Sequence, residues 1–105
     1  MFSKLILLAL SATTALAAPV PHTIGDITFY HPGTGACEGA HGDADMVAAI
    51  GGGLYDSGDY CGKSIKLKGD AGEVIVVVVD RCDGCSDTDL DVSPAAFEKA
   101  MGAKS

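Results

Sequence analysis

Six consecutive β-branched residues, Val74 to Val79, constrain this chain more than any other stretch. The run has no helical periodicity and matches a strand buried on both faces. Glu73 and Asp80 bracket it with charge, which discourages edge-to-edge pairing. Beyond Asp80-Arg81 the chain passes through Cys82-Asp83-Gly84-Cys85 and re-emerges as the alternating Asp89-Leu90-Asp91-Val92. Several carboxylates therefore gather at the mouth of a buried sheet, beside a pair of cysteines.

The first residues read as a secretory leader, with Lys4 as a short positive region, Leu5 to Leu10 as the apolar core and Ala15-Leu16-Ala17 as a small-x-small cleavage pattern. We expect a signal peptide over residues 1–17 and a single domain over residues 18–105, secreted and extracellular. The apolar stretch is too short to span a membrane. A domain of this size buries only about 60–65% of its unfolded surface, so its core alone is marginal and a covalent brace is expected. Cys37, Cys61, Cys82 and Cys85 supply an even number in an exported chain. Of the three possible pairings we expect Cys37–Cys61 with Cys82–Cys85. On the chain-entropy model the first is worth about 3.5 kcal/mol and the second about 2.

Without Lys4, six Lys and Arg face 14 Asp and Glu, a net charge of about −8. That excludes nucleic acid and anionic membrane surfaces as partners, because no basic patch exists to release counterions. Neutral glycans and cationic polymers such as deacetylated chitin remain compatible with it.

Ile24 to Tyr30 alternates around Ile27 and Phe29 and reads as a first strand. His31 to Gly35 is a turn cluster, and Glu38 to Asp45 a loop. Met46 to Ile50 is a short apolar run, broken by Gly51-Gly52-Gly53, and Leu54 to Tyr60 has room for one helical turn. Ser64 to Lys68 is a half-exposed strand, joined through a Gly69-Asp70-Ala71-Gly72 hairpin loop to the valine run. Ser93 caps a helix with Pro94 at its first position and Gly102 as its stop. Ala95, Phe97, Ala100 and Met101 are expected to face inward. Short strands, one central buried strand and one helix suggest a small closed barrel.

Neither the histidines nor the Cys-x-x-Cys motif points to a metal or redox centre. His22, His31 and His41 lie in loops or in the N-terminal segment, with no helical i, i+4 pair. A zinc site of Cys82, Cys85 and a histidine is disfavoured in an oxidising compartment. A reactive thiol is disfavoured by the acidic Ser86-Asp87-Thr88-Asp89 that follows Cys85. No cofactor and no metal are expected.

Gly25 to Tyr30 (GDITFY), Gly35 to Cys37 (GAC), Asp45 to Ile50 (DMVAAI), Cys61 to Lys63 (CGK), Val78 to Cys82 (VVDRC) and Asp89 to Phe97 (DLDVSPAAF) occur in that order. In these motifs the chain resembles the expansin-like and rare lipoprotein A-like double-psi β-barrels, including small fungal expansin-like proteins (loosenins). The resemblance implies a mainly β fold, a small six-stranded double-psi β-barrel with one short C-terminal helix. In such relatives a final strand follows the helix; here the sequence stops at Ser105, and the expectation is a barrel without that strand. The resemblance also implies a substrate-binding groove lined by Thr28, Tyr30, Asp80 and Asp91. Alternation agrees for Asp91, since Leu90 and Val92 share one face and Asp91 points to the other. Asp80 and Asp89 would be neighbours able to raise its pKa, and Tyr55 and Tyr60 offer flat faces for sugar or for packing.

Acid catalysis by Asp91 would need a partner. Hydrolytic relatives carry an acid just past the first strand, where this chain has His31-Pro32. Bacterial transglycosylases of this fold carry a histidine where Ile50 stands. The reading is therefore a monomeric, non-hydrolytic protein that binds and loosens cell-wall polysaccharide (cellulose, chitin or peptidoglycan). Two alternatives stay open: a glycosidase or lytic transglycosylase with Asp91 as acid, and a protein-binding module acting as a cysteine-protease inhibitor or host-interaction effector.

Overall fold

A computed structural model describes residues 24–102. The expected signal peptide and its cleavage point lie outside the described residues. The elements are β1 (Ile27–Phe29), β2 (Val47–Gly51), α1 (Gly52–Asp56), β3 (Ser64–Gly69), β4 (Gly72–Cys82), β5 (Leu90–Val92) and α2 (Pro94–Met101). The strands form one mixed five-stranded sheet in the order β1-β5-β2-β4-β3. β1 runs parallel to β5 and β2 parallel to β4, while β2–β5 and β3–β4 are antiparallel. No helix among the described residues is long and apolar enough to cross a membrane.

The five strands among the described residues fall on the segments read as strands or as an apolar run, and the sixth strand of the barrel that the resemblance implies is not among them. The turn and loop expected between His31 and Asp45 add only an isolated bridge between Thr34 and Ala40. The apolar Val47–Gly51 is a fully buried strand, and the turn after it becomes α1.

The valine run forms β4, which lies next to the edge of the sheet while β2 holds the centre, and it is not covered on both faces along its length. Val74, Val76 and Val78 are buried, whereas Ile75 is 58% exposed. β2 pairs with β4 only from Val77 onward. The first half of β4 is therefore a two-stranded ribbon with β3, covered on one face by α2. The core gathers Ala48, Leu67, Val74, Val76, Val92, Ala96 and Ala100.

The helix starts as its residues dictate. Ser93 Oγ accepts from Ala96 N at 3.3 Å, Pro94 occupies the first turn, and Gly102 ends the helix at φ 94°. The inward face differs by one residue from expectation: Ala96 and Ala100 are buried, and Ala95 is only half-buried, its N–H donating to Asp43 O at 3.1 Å. Ser93 Oγ also donates to Asp45 O. One hydroxyl thus ties the Asp43–Asp45 loop to the helix start.

Glycines permit three close approaches at the end of β2. A Cβ on Gly51 would lie 2.3 Å from Ser86 O, one on Gly52 2.6 Å from an Arg81 guanidinium nitrogen, and one on Gly53 2.5 Å from Asp87 Oδ1. The glycine triplet seats the loop after Cys82 as well as ending a strand.

Ser93→Ala is expected to lower stability by about 1–3 kcal/mol, since it removes the cap and leaves Asp45 O without its donor. Urea denaturation checks this, and a loss under about 0.5 kcal/mol would contradict the dual role.

Candidate functional site

The four residues expected to line a groove lie together, and strand register explains why. Thr28 stands opposite Asp91 between β1 and β5, Asp91 opposite Ala49 between β5 and β2, and Ala49 opposite Asp80 between β2 and β4. Directly opposed residues share a face, so the sheet carries a transverse row Thr28–Asp91–Ala49–Asp80. Asp80 and Asp91 are two strand spacings apart, about 10 Å between Cα atoms. Ala49 lies between them, 3% exposed and small enough to leave a shallow floor.

Asp80 reaches this face through a register shift. Ala48 pairs with Val78, but Ala49 pairs with Asp80, so Val79 is an extra residue in β4. Val78 points into the core; simple alternation would send Asp80 there too. The bulge reverses the parity and turns Asp80 outward. It also frees Val79 O, which accepts from Cys37 N at 3.2 Å. Asp80 Oδ1 accepts from Ala36 N and Arg81 N, both at 2.8 Å. Gly35 makes this fit possible, since a Cβ there would lie 3.0 Å from Asp80 Cγ.

Thr28 Oγ1 donates to Asp91 Oδ1 at 3.0 Å. Asp91 is half-buried, and burial raises its pKa, opposed by the Thr28 hydrogen bond. Tyr30 shares the face of Thr28 two residues on, its N–H donating to Val92 O at 2.9 Å. Its phenolic oxygen is buried with no hydrogen-bond partner among the described residues. Its pKa is pushed up to about 12, chiefly by burial and then by the negative charges of Asp80 and Asp91. Phe29, on the other face, packs against Phe97 with ring centroids 5.2 Å apart.

Asp89 is not part of the row. Its Oδ1 accepts from Asp26 N at 2.9 Å, and that hydrogen bond, with those from Ser86, lowers its pKa. Of the two expected sources, burial and carboxylate neighbours, burial is the one that raises Asp91. Tyr55 sits on the brace, its hydroxyl 3.4 Å from Cys61 Sγ, and Tyr60 borders Gly58. Neither joins the row. Both expected bridges are present, Cys37–Cys61 and Cys82–Cys85. The second flanks the site: both its sulfurs and an Asp91 carboxylate oxygen lie within 4.8 Å of one another. Arg81 makes two hydrogen bonds to Asp56, at 2.9 and 3.1 Å, and pairs with Asp83. Its charge is therefore compensated away from the row. The Ala49 floor, the Val79 bulge and the Gly35-Ala36 clamp were not foreseen; the G-A-C motif was their available signal.

Against known proteins, no protein-family profile matches the chain. It is 34% identical over 95 residues to the Allergen Asp f 7 homolog of Arthroderma benhamiae, covering 85% of this chain and 32% of that protein. It is 29% identical over 112 residues to an EG45-like domain containing protein of Citrus jambhiri, covering 92% of this chain and 85% of that protein. The chain thus spans about a third of the first relative and most of the second. Among solved structures, Streptomyces papain inhibitor superposes with TM-score 0.62 at 26% identity, covering 72% of this chain and 76% of that one. The expansin of Clavibacter michiganensis superposes with TM-score 0.62 at 30% identity, covering 70% of this chain and 40% of that one. A curled mixed sheet with one short capping helix and two disulfides defines a small braced β-barrel class. Within that class the chain is similar to expansin-like proteins, in sequence to the EG45-like protein and in fold to the bacterial expansin.

Two titrations probe this geometry. The folded state holds the Asp91 proton more tightly than the unfolded chain, so the stability it adds is present below the unfolded pKa and is lost as pH rises through the folded one. Asp91→Asn, which stays neutral, should therefore gain stability relative to wild type as pH rises from about 3 to about 7. Urea midpoints read this, and a pH-independent difference would refute it. Ultraviolet titration should show a phenol ionising at about 12, absent in Tyr30→Phe. An unchanged curve in that variant would remove Tyr30 from the acidic face.

Proposed function

We propose that this is a non-hydrolytic, polysaccharide-binding protein of the expansin-like type, acting outside the cell on cell-wall glycan. The observation that carries the reading is the transverse row of Thr28, Asp91 and Asp80 over the Ala49 floor, with the Tyr30 hydroxyl beside it. Acceptor oxygens spaced along a shallow face suit the hydroxyls of an extended sugar chain. Asp91 and Asp80 would compete for hydroxyls that otherwise join glycan chains to one another. The two disulfides suit an extracellular setting.

Binding without cleavage is supported by how the other groups are engaged. Inverting hydrolysis needs a second carboxylate free to activate water. Asp80, the other acid of the row, has one oxygen held by two backbone N–H groups. Ile50 is fully buried and so touches no ligand on this face. Few contacts line the row, so affinity should be weak, on the order of tens of micromolar to millimolar.

A second reading is favoured by one feature. The loop tip at Glu38-Gly39 has positive φ at both residues, 68° and 80°, and stands on the Cys37–Cys61 bridge. A braced, exposed turn suits protein recognition, and one structural neighbour is named as a papain inhibitor.

Pull-downs on cellulose, chitin and peptidoglycan should retain wild type more than Asp91→Asn or Thr28→Val, by roughly three- to tenfold for one lost hydrogen bond. No new reducing ends should be released from any polymer. Equal retention of all three proteins on every polymer would end the glycan reading. Nanomolar inhibition of a papain-like protease, insensitive to Asp91→Asn, would favour the second.

A further inference from the structure

The Cys82-Asp83-Gly84-Cys85 motif plays no part in the glycan reading, yet the fold carries it to the edge of the site. Cys82 follows Asp80 by two residues in β4 and so shares its face. Its register partner is Gly51, which has no side chain. The returning loop occupies the space a side chain would take, since a Cβ on Gly51 would lie 3.1 Å from Cys85 O. That packing brings Sγ of Cys82, Sγ of Cys85 and a carboxylate oxygen of Asp91 within 4.8 Å of one another, all three residues half-buried.

We propose that, once the Cys82–Cys85 bridge is reduced, Cys82, Cys85 and Asp91 form a three-donor site for a zinc-class divalent ion. The Cys-x-x-Cys spacing is that of thiolate zinc ligands, and a carboxylate oxygen is an accepted third donor. Sulfurs at about 2.3 Å and an oxygen at about 2.0–2.2 Å from a tetrahedral ion lie roughly 3.5–3.8 Å apart. In the bridge the two sulfurs are covalently joined and must move apart to reach that spacing, while the Asp91 oxygen already lies within 4.8 Å of both. Opening the bridge requires the loop to widen: Gly84 at its tip is exposed and a Cβ there would meet nothing within 4 Å, while Asp83 stays tied to Arg81. Water would complete a four-coordinate set. Among the described residues no histidine joins the cluster: His31 is held by Asp43 at 2.9 Å and His41 faces Asp45.

The redox step balances. A phosphine attacks the S–S bond and takes oxygen from water to become a phosphine oxide, and both water protons end on the two thiols. A dithiol would do the same by becoming its own disulfide. Ion binding then releases the thiol protons. Cys82–Cys85 closes a ring of sequence separation 3, against 24 for Cys37–Cys61, so its loss removes the smaller constraint on the unfolded chain. Withdrawal of Asp91 from the row by a bound ion rests on the glycan reading; the ion site itself does not.

The test is anaerobic Co²⁺ titration of the phosphine-treated full domain, with alkylation and peptide mapping to show which bridge opened and circular dichroism to confirm folding. One Co²⁺ per chain is expected, with thiolate-to-cobalt charge-transfer absorption that Zn²⁺ abolishes. Cys82→Ser/Cys85→Ser should show no such band, and Asp91→Asn should bind at least about tenfold more weakly. The remote control Glu38→Gln should match wild type. Absence of the band when the bridge is open, unchanged affinity in Asp91→Asn, or unfolding on opening this bridge would each overturn the proposal.

Discussion

Because Ala48 stands opposite Val78 while Ala49 stands opposite Asp80, β4 carries one residue more than its parallel neighbour, and side-chain parity reverses beyond Val79. Upstream, every second residue of β4 builds the core. Downstream, the residues that regular alternation would bury face the same side as Asp91 and Thr28. The extra residue also leaves a carbonyl without a ladder partner, and Cys37 N–H satisfies it. The adjacent Ala36 N–H binds the Asp80 carboxylate. Two successive amides of one loop thus lock the bulge, and the Cys37–Cys61 bridge locks the loop. Site geometry and disulfide brace are one mechanical unit.

Glycine provides the second constraint. At Gly35, Gly51, Gly52 and Gly53 a side chain would collide with backbone or polar atoms of segments distant in sequence. These approaches let a domain with little core hold long loops close to its sheet. Arg81 extends the principle: its guanidinium lies over Gly52 and joins α1, through Asp56, to the loop at Asp83. An exposed ion pair contributes little stability in water. Its value here is positional, because one planar group fixes two segments against β4.

Much of this was legible in residue type. The valine run, the hairpin before it and the Ser93-Pro94 helix start each follow from local chemistry that tertiary contacts do not override. The parity of Asp91 followed from Leu90 and Val92. Position along β4 was harder to read, because six β-branched residues carry no alternation to mark which side is wet; Ile75 is exposed although nothing in its neighbours distinguishes it. The bulge was illegible for the same reason, since a register shift is a relation between two strands. Asp89 misled because its partner, the Asp26 amide, lies 63 residues away.

The electrostatics of the row favour ligands that bring their own donors. Asp91 is half removed from water and receives one hydroxyl, from Thr28, where a solvated carboxylate would accept several donors. Tyr30 holds a phenolic oxygen away from water without a partner among the described residues, in the field of two acids that disfavour its ionisation. Each group carries a desolvation cost already met by folding. A ligand hydroxyl reaching Asp91 would supply a donor to the carboxylate, recovering free energy at little further cost in desolvating that group. Water can do this only one molecule at a time, with its own loss of freedom. On the proposed glycan reading, a chain of linked hydroxyls would spread that entropic loss over many contacts, which would favour a polymer over a monosaccharide.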